Sequence, residues 1–481
     1  MVLAKSPTSP LKWLGVALLS DLLIYLCYRH TVLSPDALKW TPWAFSDWLV
    51  NYSAGFVRRG LAGYLIGLYA RGEPAAPIVN MIVFANFATL VLATSLLLIL
   101  SRRLGALAAI LFMLVPGGLW SMQFGNEFYY RKELLFYVYI ALICLIYLTA
   151  RRSARGPASN LLDSLNCGLI AILSVALSFM HEAFLFIGAV PSIIVLYWIG
   201  CIRWPAWRMG VALFYGIAML GLFLTLMMFK GDENSARMIW LSLNPADRAL
   251  ISNNGEIAGG ISAMGWSTMR ELGEILYVVL KGTAWYYLLA LAVSLSYILA
   301  TTQLFCIDPD RSATAAHRSA WTARLFALCA VGVAPLFVVG ADWGRWIVAI
   351  NMMTIPLICA GEFASLLPFP SLDLRATFAR IAPAKCLGFI CGAALLLTAL
   401  TFRIPECCLV GSGDGFTTAE RQLLALVSRT LRDKSPGQVV SASPIHDATV
   451  LSFPRQWAST RLENVAADGS VKAFGRTPKC E

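Results

Sequence analysis

The sequence predicts an all-α polytopic membrane protein, and three observations predict it. Of 481 residues, 58% are hydrophobic and only 14% are charged, against roughly 25% charged in an average soluble domain. Apolar runs of about 20 residues, the length that crosses a bilayer as helix, recur along the chain. Basic residues gather in alternate short connections between those runs. Together with a mean hydropathy of +0.69, this excludes a soluble enzyme, a disordered chain and a coiled coil.

About 11 transmembrane helices are expected, with cores near 12–28, 78–101, 104–121, 134–150, 167–180, 183–202, 209–229, 284–306, 324–341, 347–366 and 386–403. The first run lacks a small-residue cleavage site, so it reads as a retained helix rather than a signal peptide. The fifth and sixth are separated by His181 and Glu182 alone and read as two helices or one bent unit. With the N-terminus in the cytoplasm, the inner loops hold Lys5, Lys12, Arg102, Arg103, Arg151, Arg152, Arg155, Arg203, Arg208, Arg311, Arg318, Arg324, Arg375, Arg380 and Lys385. Only Asp163, Asp308, Asp310 and Asp373 oppose them there. This satisfies the positive-inside rule at each short inner loop. A bacterial inner (plasma) membrane protein is expected, with its C-terminus extracytoplasmic.

The domain reading follows. Residues 1–403 form a transmembrane domain with long outer loops at 29–77 and 230–283. Residues 404–481 are polar and mixed, and read as a small extracytoplasmic α/β appendage. Loop 38–70 is rich in Trp and alternates polar with apolar residues, which suits amphipathic interfacial helices. Most of the twelve cysteines lie in or beside apolar runs, where cysteine acts as a small hydrophobe. No CxxC pair or zinc-like spacing occurs. Net charge is +11, but the basic residues sit in loops flanking spans, so no nucleic acid partner is expected. Membrane lipids are.

The orientation sends the unusual polar motifs to the outer face. Asp47 stands eleven and twelve residues before Arg58 and Arg59. If that segment is one helix they share a face, and a carboxylate base lies beside an anion-binding pair. The plainer alternative is a helix cap at Asp47 and headgroup contacts at the arginines. Glu127, Arg131, Lys132 and Glu133 share one short outer loop. There the basic pair offers a phosphate site, or an interfacial salt-bridged turn. His181-Glu182 lies at membrane depth, where an ionisable pair is a functional candidate; alternatively it pins two helices. It is not HExxH, because position 185 is Leu185. Asp342-Trp343-Gly344-Arg345-Trp346 holds more chemistry than a tight turn needs. Arg345 suits a bidentate grip on phosphate, against an aromatic belt with a local ion pair. Loop 230–283 is long enough for a lid. Asp21 and Glu362 are the two carboxylates inside spans. An isolated carboxylate in the bilayer is costly, so Asp21 is expected to pair with a polar group or face a cavity.

Walker, GxGxxG, GxSxG, haem and iron–sulfur signatures are absent from the sequence. No cofactor is expected. With four His a zinc site has little support; a divalent metal is compatible but not indicated.

Carboxylates, arginines and a lid on one outer face suit reaction on a lipid phosphate. A soluble nucleotide-sugar is not expected on that side, whereas a polyprenyl-phosphate-linked sugar can be presented there. Transfer needs a base for the acceptor hydroxyl and cations for the departing phosphate. In this plan the chain resembles the multi-span glycosyltransferases of the GT-C superfamily, over most of its length. The resemblance implies a catalytic carboxylate in the first outer loop, where Asp47 in Ser46-Asp47-Trp48 is the best match and Asp36 the second. It also implies a polyprenyl-phosphate-linked sugar donor and a glycan or lipid acceptor. The chain departs from the pattern in lacking an adjacent acidic pair in that loop. Asp47, His181 and Glu182 are the expected catalytic residues, and Arg58, Arg59, Glu127, Arg131, Lys132, Asp342 and Arg345 the expected substrate contacts. The alternatives are a transporter or flippase of lipid-linked glycans, a polysaccharide polymerase, and an assembly subunit.

Overall fold

The computed structural model describes residues 10–31, 42–70, 78–102, 104–120, 131–153, 157–252, 256–257, 259–280, 284–305, 315–340, 342–361, 384–402 and 404. Among these every regular element is helical, and no strand occurs. The expected C-terminal appendage lies outside the described residues, as do Asp36, Glu127 and Glu362.

In chain order the helices are α1 (Pro10–Thr31), α2 (Pro42–Trp48), α3 (Gly60–Ala70), α4 (Ile78–Ser101), α5 (Ala106–Met113), α6 (Glu133–Arg152), α7 (Pro157–Met180), α8 (Phe184–Ile187), α9 (Ala189–Arg203) and α10 (Arg208–Met228). The second half adds α11 (Glu233–Ser242), α12 (Pro245–Ile251), α13 (Gly259–Ser262), α14 (Thr268–Leu280), α15 (Ala284–Leu304), α16 (Ala315–Val339), α17 (Trp343–Ala360) and α18 (Ala384–Thr401). Proline opens α1, α2, α7 and α12, where its fixed φ suits the first turn and its missing N–H costs nothing.

Among the described residues, eight helices are long and apolar enough to cross a membrane: 80–101, 133–152, 159–180, 184–203, 208–228, 286–304, 319–339 and 343–360. Set against the eleven expected runs, α7 begins ten residues before the expected 167 because Pro157 starts it. The run 104–121 is not one helix. After α5 the chain turns at Val115-Pro116-Gly117-Gly118, and Gly117 takes φ +68. Irregular backbone at bilayer depth survives only where protein satisfies it. Here Asn351 Nδ2 donates to the carbonyls of Pro116 (3.0 Å) and Gly117 (3.2 Å), and Ser294 Oγ donates to Pro116 O (3.2 Å). Hydropathy registers the apolar side chains and misses the Pro-Gly-Gly break.

Two hydrophobic cores result. The larger runs through the spans and centres on α17, which is buried along nearly its whole length. That helix carries Arg345, Asn351 and Thr354, all buried, so its polar residues face protein rather than lipid. A polar node ties four neighbouring helices: Tyr139 hydroxyl meets Ser174 (2.8 Å) and Ser192 (2.7 Å), and Tyr215 donates to Ser174 (2.7 Å). The smaller core joins the two long connections. Phe45, Trp48, Leu49 and Val57 pack with Ile239, Trp240, Ile251, Ile261 and Met264. Polar contacts lock this cap to the spans. Arg58 N–H donates to Phe229 O (2.9 Å), and Asp247 accepts from Ile78 N–H at the start of α4 (3.1 Å).

The interfacial reading of 38–70 needs correcting at α2, whereas α3 does expose Tyr64, Leu65, Leu68 and Tyr69. Positions 44–50 are buried on every side, because 230–265 covers them. Gly259 and Gly260 permit that contact. A Cβ on Gly260 would stand 2.6 Å from Asp47 N, and one on Gly259 would strike the Trp43 ring. Gly260 N–H donates to Ser46 Oγ (2.8 Å).

Candidate functional site

The chain brings ten ionisable residues from five segments into one cluster, most of them buried. Asp47 comes from the end of α2. Arg58 and Arg59 come from the turn before α3. Arg131, Lys132 and Glu133 form the entry to α6, His181 and Glu182 the turn between α7 and α8, and Asp342 and Arg345 the entry to α17.

Asp47 and the arginines do not share a helix face. Helix α2 ends at Trp48, and a turn follows. Asn51 Oδ1 accepts from Ser53 N–H (2.9 Å), and Gly55 takes φ +89. Arg59 itself has φ +69, a left-handed conformation that an L side chain adopts at a cost of about 1–2 kcal/mol. That bend turns its guanidinium back toward Asp47.

The ion pairs define the cluster. Arg59 Nε donates to both oxygens of Glu182 (2.9 and 2.7 Å), and its terminal nitrogen donates to the same carboxylate. Arg58 approaches Glu182 at 3.5 Å. Arg345 spans Glu133 and Asp342, donating to each. Asp47 lies between Lys132 (3.4 Å) and Arg59 (3.6 Å), held by charge without a bidentate grip. Lys132 is fully buried and donates to Met180 O (3.0 Å). His181 Nδ1 accepts Ala183 N–H (3.1 Å), so a neutral ring carries its proton on Nε2.

Arg131 is the exception. It is 8% exposed, and its Nε is buried without a partner. Among the described residues its guanidinium has no ion pair and no hydrogen bond. Five cations face four carboxylates here, leaving one positive charge over when His181 is neutral.

Burial and the field follow from this packing. Burial raises the Asp47 carboxyl, but Lys132, His181, Arg59 and Arg131 together hold it below the ordinary range. Burial also opposes charge on Glu182, and Arg59 outweighs it, keeping that carboxylate well below its usual value. For Lys132 burial dominates and lowers the ammonium, with Asp47 opposing. Arg131 is lowered by burial and then by Arg345. Burial, with Arg59 adding to it, takes His181 down to about 4, so the ring is neutral at pH 7.

The sequence motifs therefore meet: Asp47, Arg58, Arg59, Arg131, Lys132, His181, Glu182, Asp342 and Arg345 belong to the cluster, while Glu127 lies outside the described residues. Glu133, which the sequence suggested only as part of a salt-bridged turn, is the main partner of Arg345. The signal for it was its place directly after Arg131-Lys132. Ser46 and Gly260 were also missed as the residues that seat Asp47. Among the described residues no three His, Cys, Asp or Glu side chains are placed to share a metal ion.

No family model, curated protein or solved structure matches the chain. The reading of function therefore rests on the cluster itself.

Proposed function

We propose that the chain is a glycosyltransferase of the bacterial inner membrane. It moves a sugar from a polyprenyl-phosphate-linked donor to a cell-envelope glycan or lipid on the outer face. The observation that supports this reading is a pair of neighbours left underused by the fold: Arg131, a buried unpartnered cation, and Asp47, a buried carboxylate with only loose ion pairs.

An unpaired buried guanidinium is costly in the empty protein and is relieved by an anion. A lipid-linked phosphate is an anion that can reach a membrane-embedded site. Three of the four carboxylates are committed, Glu182 to Arg59 and both Glu133 and Asp342 to Arg345. Asp47 is left to accept a proton. In the reaction, Asp47 takes the proton of the acceptor hydroxyl as its oxygen attacks the anomeric carbon. The bond from that carbon to the phosphate oxygen breaks, and the lipid phosphate leaves with the electron pair. Arg131 and Lys132 stabilise the departing charge. The depressed Asp47 carboxyl is a weak base in the empty site. A bound phosphate beside Arg131 offsets the cations around Asp47 and raises it toward its task. His181, with its proton on Nε2, acts as a hydrogen-bond donor in this scheme rather than a base. One uncommitted carboxylate predicts single displacement, hence inversion at the anomeric carbon.

The test is a mass-spectrometric profile of envelope glycans and lipid-linked sugars in the host. Wild type is compared with a deletion strain complemented by Asp47→Asn or Arg131→Gln at matched membrane levels. Loss of one glycan step with accumulation of its donor lipid is expected in both. A general base contributes about 10²–10⁴ in rate, so a profile fully restored by Asp47→Asn overturns the assignment.

A further inference from the structure

Helix α1 presents two unlike sides. Trp13, Val16, Ser20, Leu23 and Ile24 pack inward against α4 and α5. The opposite side exposes Leu14, Leu18, Leu22 and Tyr25, each more than half open, and among them Asp21. Leu14, Leu18, Asp21 and Tyr25 follow 4-3-4 spacing, which places them in one stripe. Asp21 is near the middle of a 22-residue helix. At 1.5 Å per residue it stands about 16 Å from either end, so with α1 crossing as the sequence predicts it lies midway through a hydrocarbon layer about 30 Å thick. It has no ion pair and no hydrogen bond among the described residues. Among the described residues, the polar partner expected for Asp21 is not found.

A carboxylate turned to lipid at mid-depth is unstable unless a cation meets it. We infer that this side of α1 binds a transmembrane helix of a different protein, one that carries a lysine or arginine near the bilayer centre. A second copy of this chain does not fit. It would set Asp21 against Asp21, and no described span has an exposed Lys or Arg at mid-length. Gly15 lies on the same exposed side, and a Cβ there would meet nothing within 4 Å. That leaves room for close helix approach, as small residues do in membrane helix pairs. The charge pair sets depth and register, and the apolar residues around it supply the packing.

The experiment uses the full chain in host membranes, with photoreactive p-benzoylphenylalanine at Leu18 or Leu22. The expected result is one heteromeric adduct. Its yield should fall at least about tenfold with Asp21→Asn and persist with Asp21→Glu, at matched membrane levels. Once the partner is identified by sequencing, exchanging its mid-span cation for Asp against Asp21→Lys should restore the adduct. The same probe at Phe214, exposed on α10, reports folding and should be unchanged in all variants. Absence of a heteromeric adduct, an adduct only between copies of this chain, equal yield with Asp21→Asn, or no rescue by the exchange would each overturn the inference. None of these outcomes bears on Asp47 or Arg131, so the enzymatic reading stands or falls separately.

Discussion

Buried charge gathers at both ends of the group formed by α6, α7 and α9, and the two ends are built differently. At one end Arg203 donates to Asp163 and to the carbonyls of Ala150 (2.7 Å) and Ser153 (3.4 Å). One cation meets one carboxylate, and the same guanidinium caps the end of α6. At the other end, about 26 Å away along α6, Glu133, His181 and Glu182 join the ten-residue cluster with its surplus cation. The first arrangement is balanced in charge, although Arg203 Nη1 is buried without a hydrogen-bond partner. The second holds five cations against four carboxylates, an excess that a ligand phosphate would offset on the proposed reading. Charge balance, more than burial, separates a structural ion pair from a site.

Substitutions sharpen that contrast, and the largest effect belongs to the balanced end. Removing Arg203 as Arg203→Ala leaves Asp163 buried alone and should cost about 3–5 kcal/mol in detergent thermal unfolding. The double change Arg203→Met with Asp163→Leu should return stability to within about 1 kcal/mol of wild type and leave the proposed glycan transfer intact. If it abolishes synthesis, the two ends are not functionally distinct.

Next comes the seat of Asp47. Gly260→Ala sets a methyl against Asp47 backbone, which cannot yield cheaply. A loss of about 1–3 kcal/mol is expected, together with reduced turnover, since α2 must shift. Unfolding and product formation measured on one preparation check both.

Acid should act on the cluster end. The His181 value falls from about 6.5 unfolded to about 4 folded, so the unfolded chain binds more protons between those values. Stability from the neutral ring is complete above about pH 6.5 and is lost as pH drops toward 4. Between pH 7 and 5 this amounts to up to roughly 2 kcal/mol. Asp47 and Glu182, both held below their ordinary values, add loss in the same direction at lower pH. His181→Asn should flatten the pH 5–7 part of the unfolding profile, and an unchanged slope would assign it elsewhere.

The smallest effect has the opposite sign. Arg131→Gln removes an unpaired buried charge, so the unliganded protein should gain about 1 kcal/mol while turnover is lost. Destabilisation by Arg131→Gln would mean that the guanidinium is satisfied within the fold.

The sequence made much of this legible. Hydropathy located α4, α6, the α8–α9 span, α10 and α15 to within a few residues, because lipid-facing and core-facing positions are both apolar there. It failed at Pro116-Gly117-Gly118, where a short break hides inside an apolar run. Motif density picked out Asp47, Arg131, His181-Glu182 and Arg345 because charges near a bilayer are costly and hence informative. It did not reveal which were paired. Arg203 read as one more inner-face positive charge, yet it is spent on Asp163. Arg59 reaches Glu182 across 123 positions only because of a left-handed turn that no periodicity announces.

The break after α5 also imposes an order on biogenesis. The carbonyls of Pro116 and Gly117 take their hydrogen bonds from Ser294 and Asn351, 178 and 235 positions after Pro116. A ribosome adding about 5–20 residues per second delivers Asn351 roughly 10–50 seconds after the break emerges. Until then the carbonyls of Pro116 and Gly117 lack these two donors. The stretch must wait near water, under a membrane chaperone, or against temporary neighbours. Closure of the first third of the protein is thus a late event, which exposes nascent and truncated chains to quality-control proteolysis.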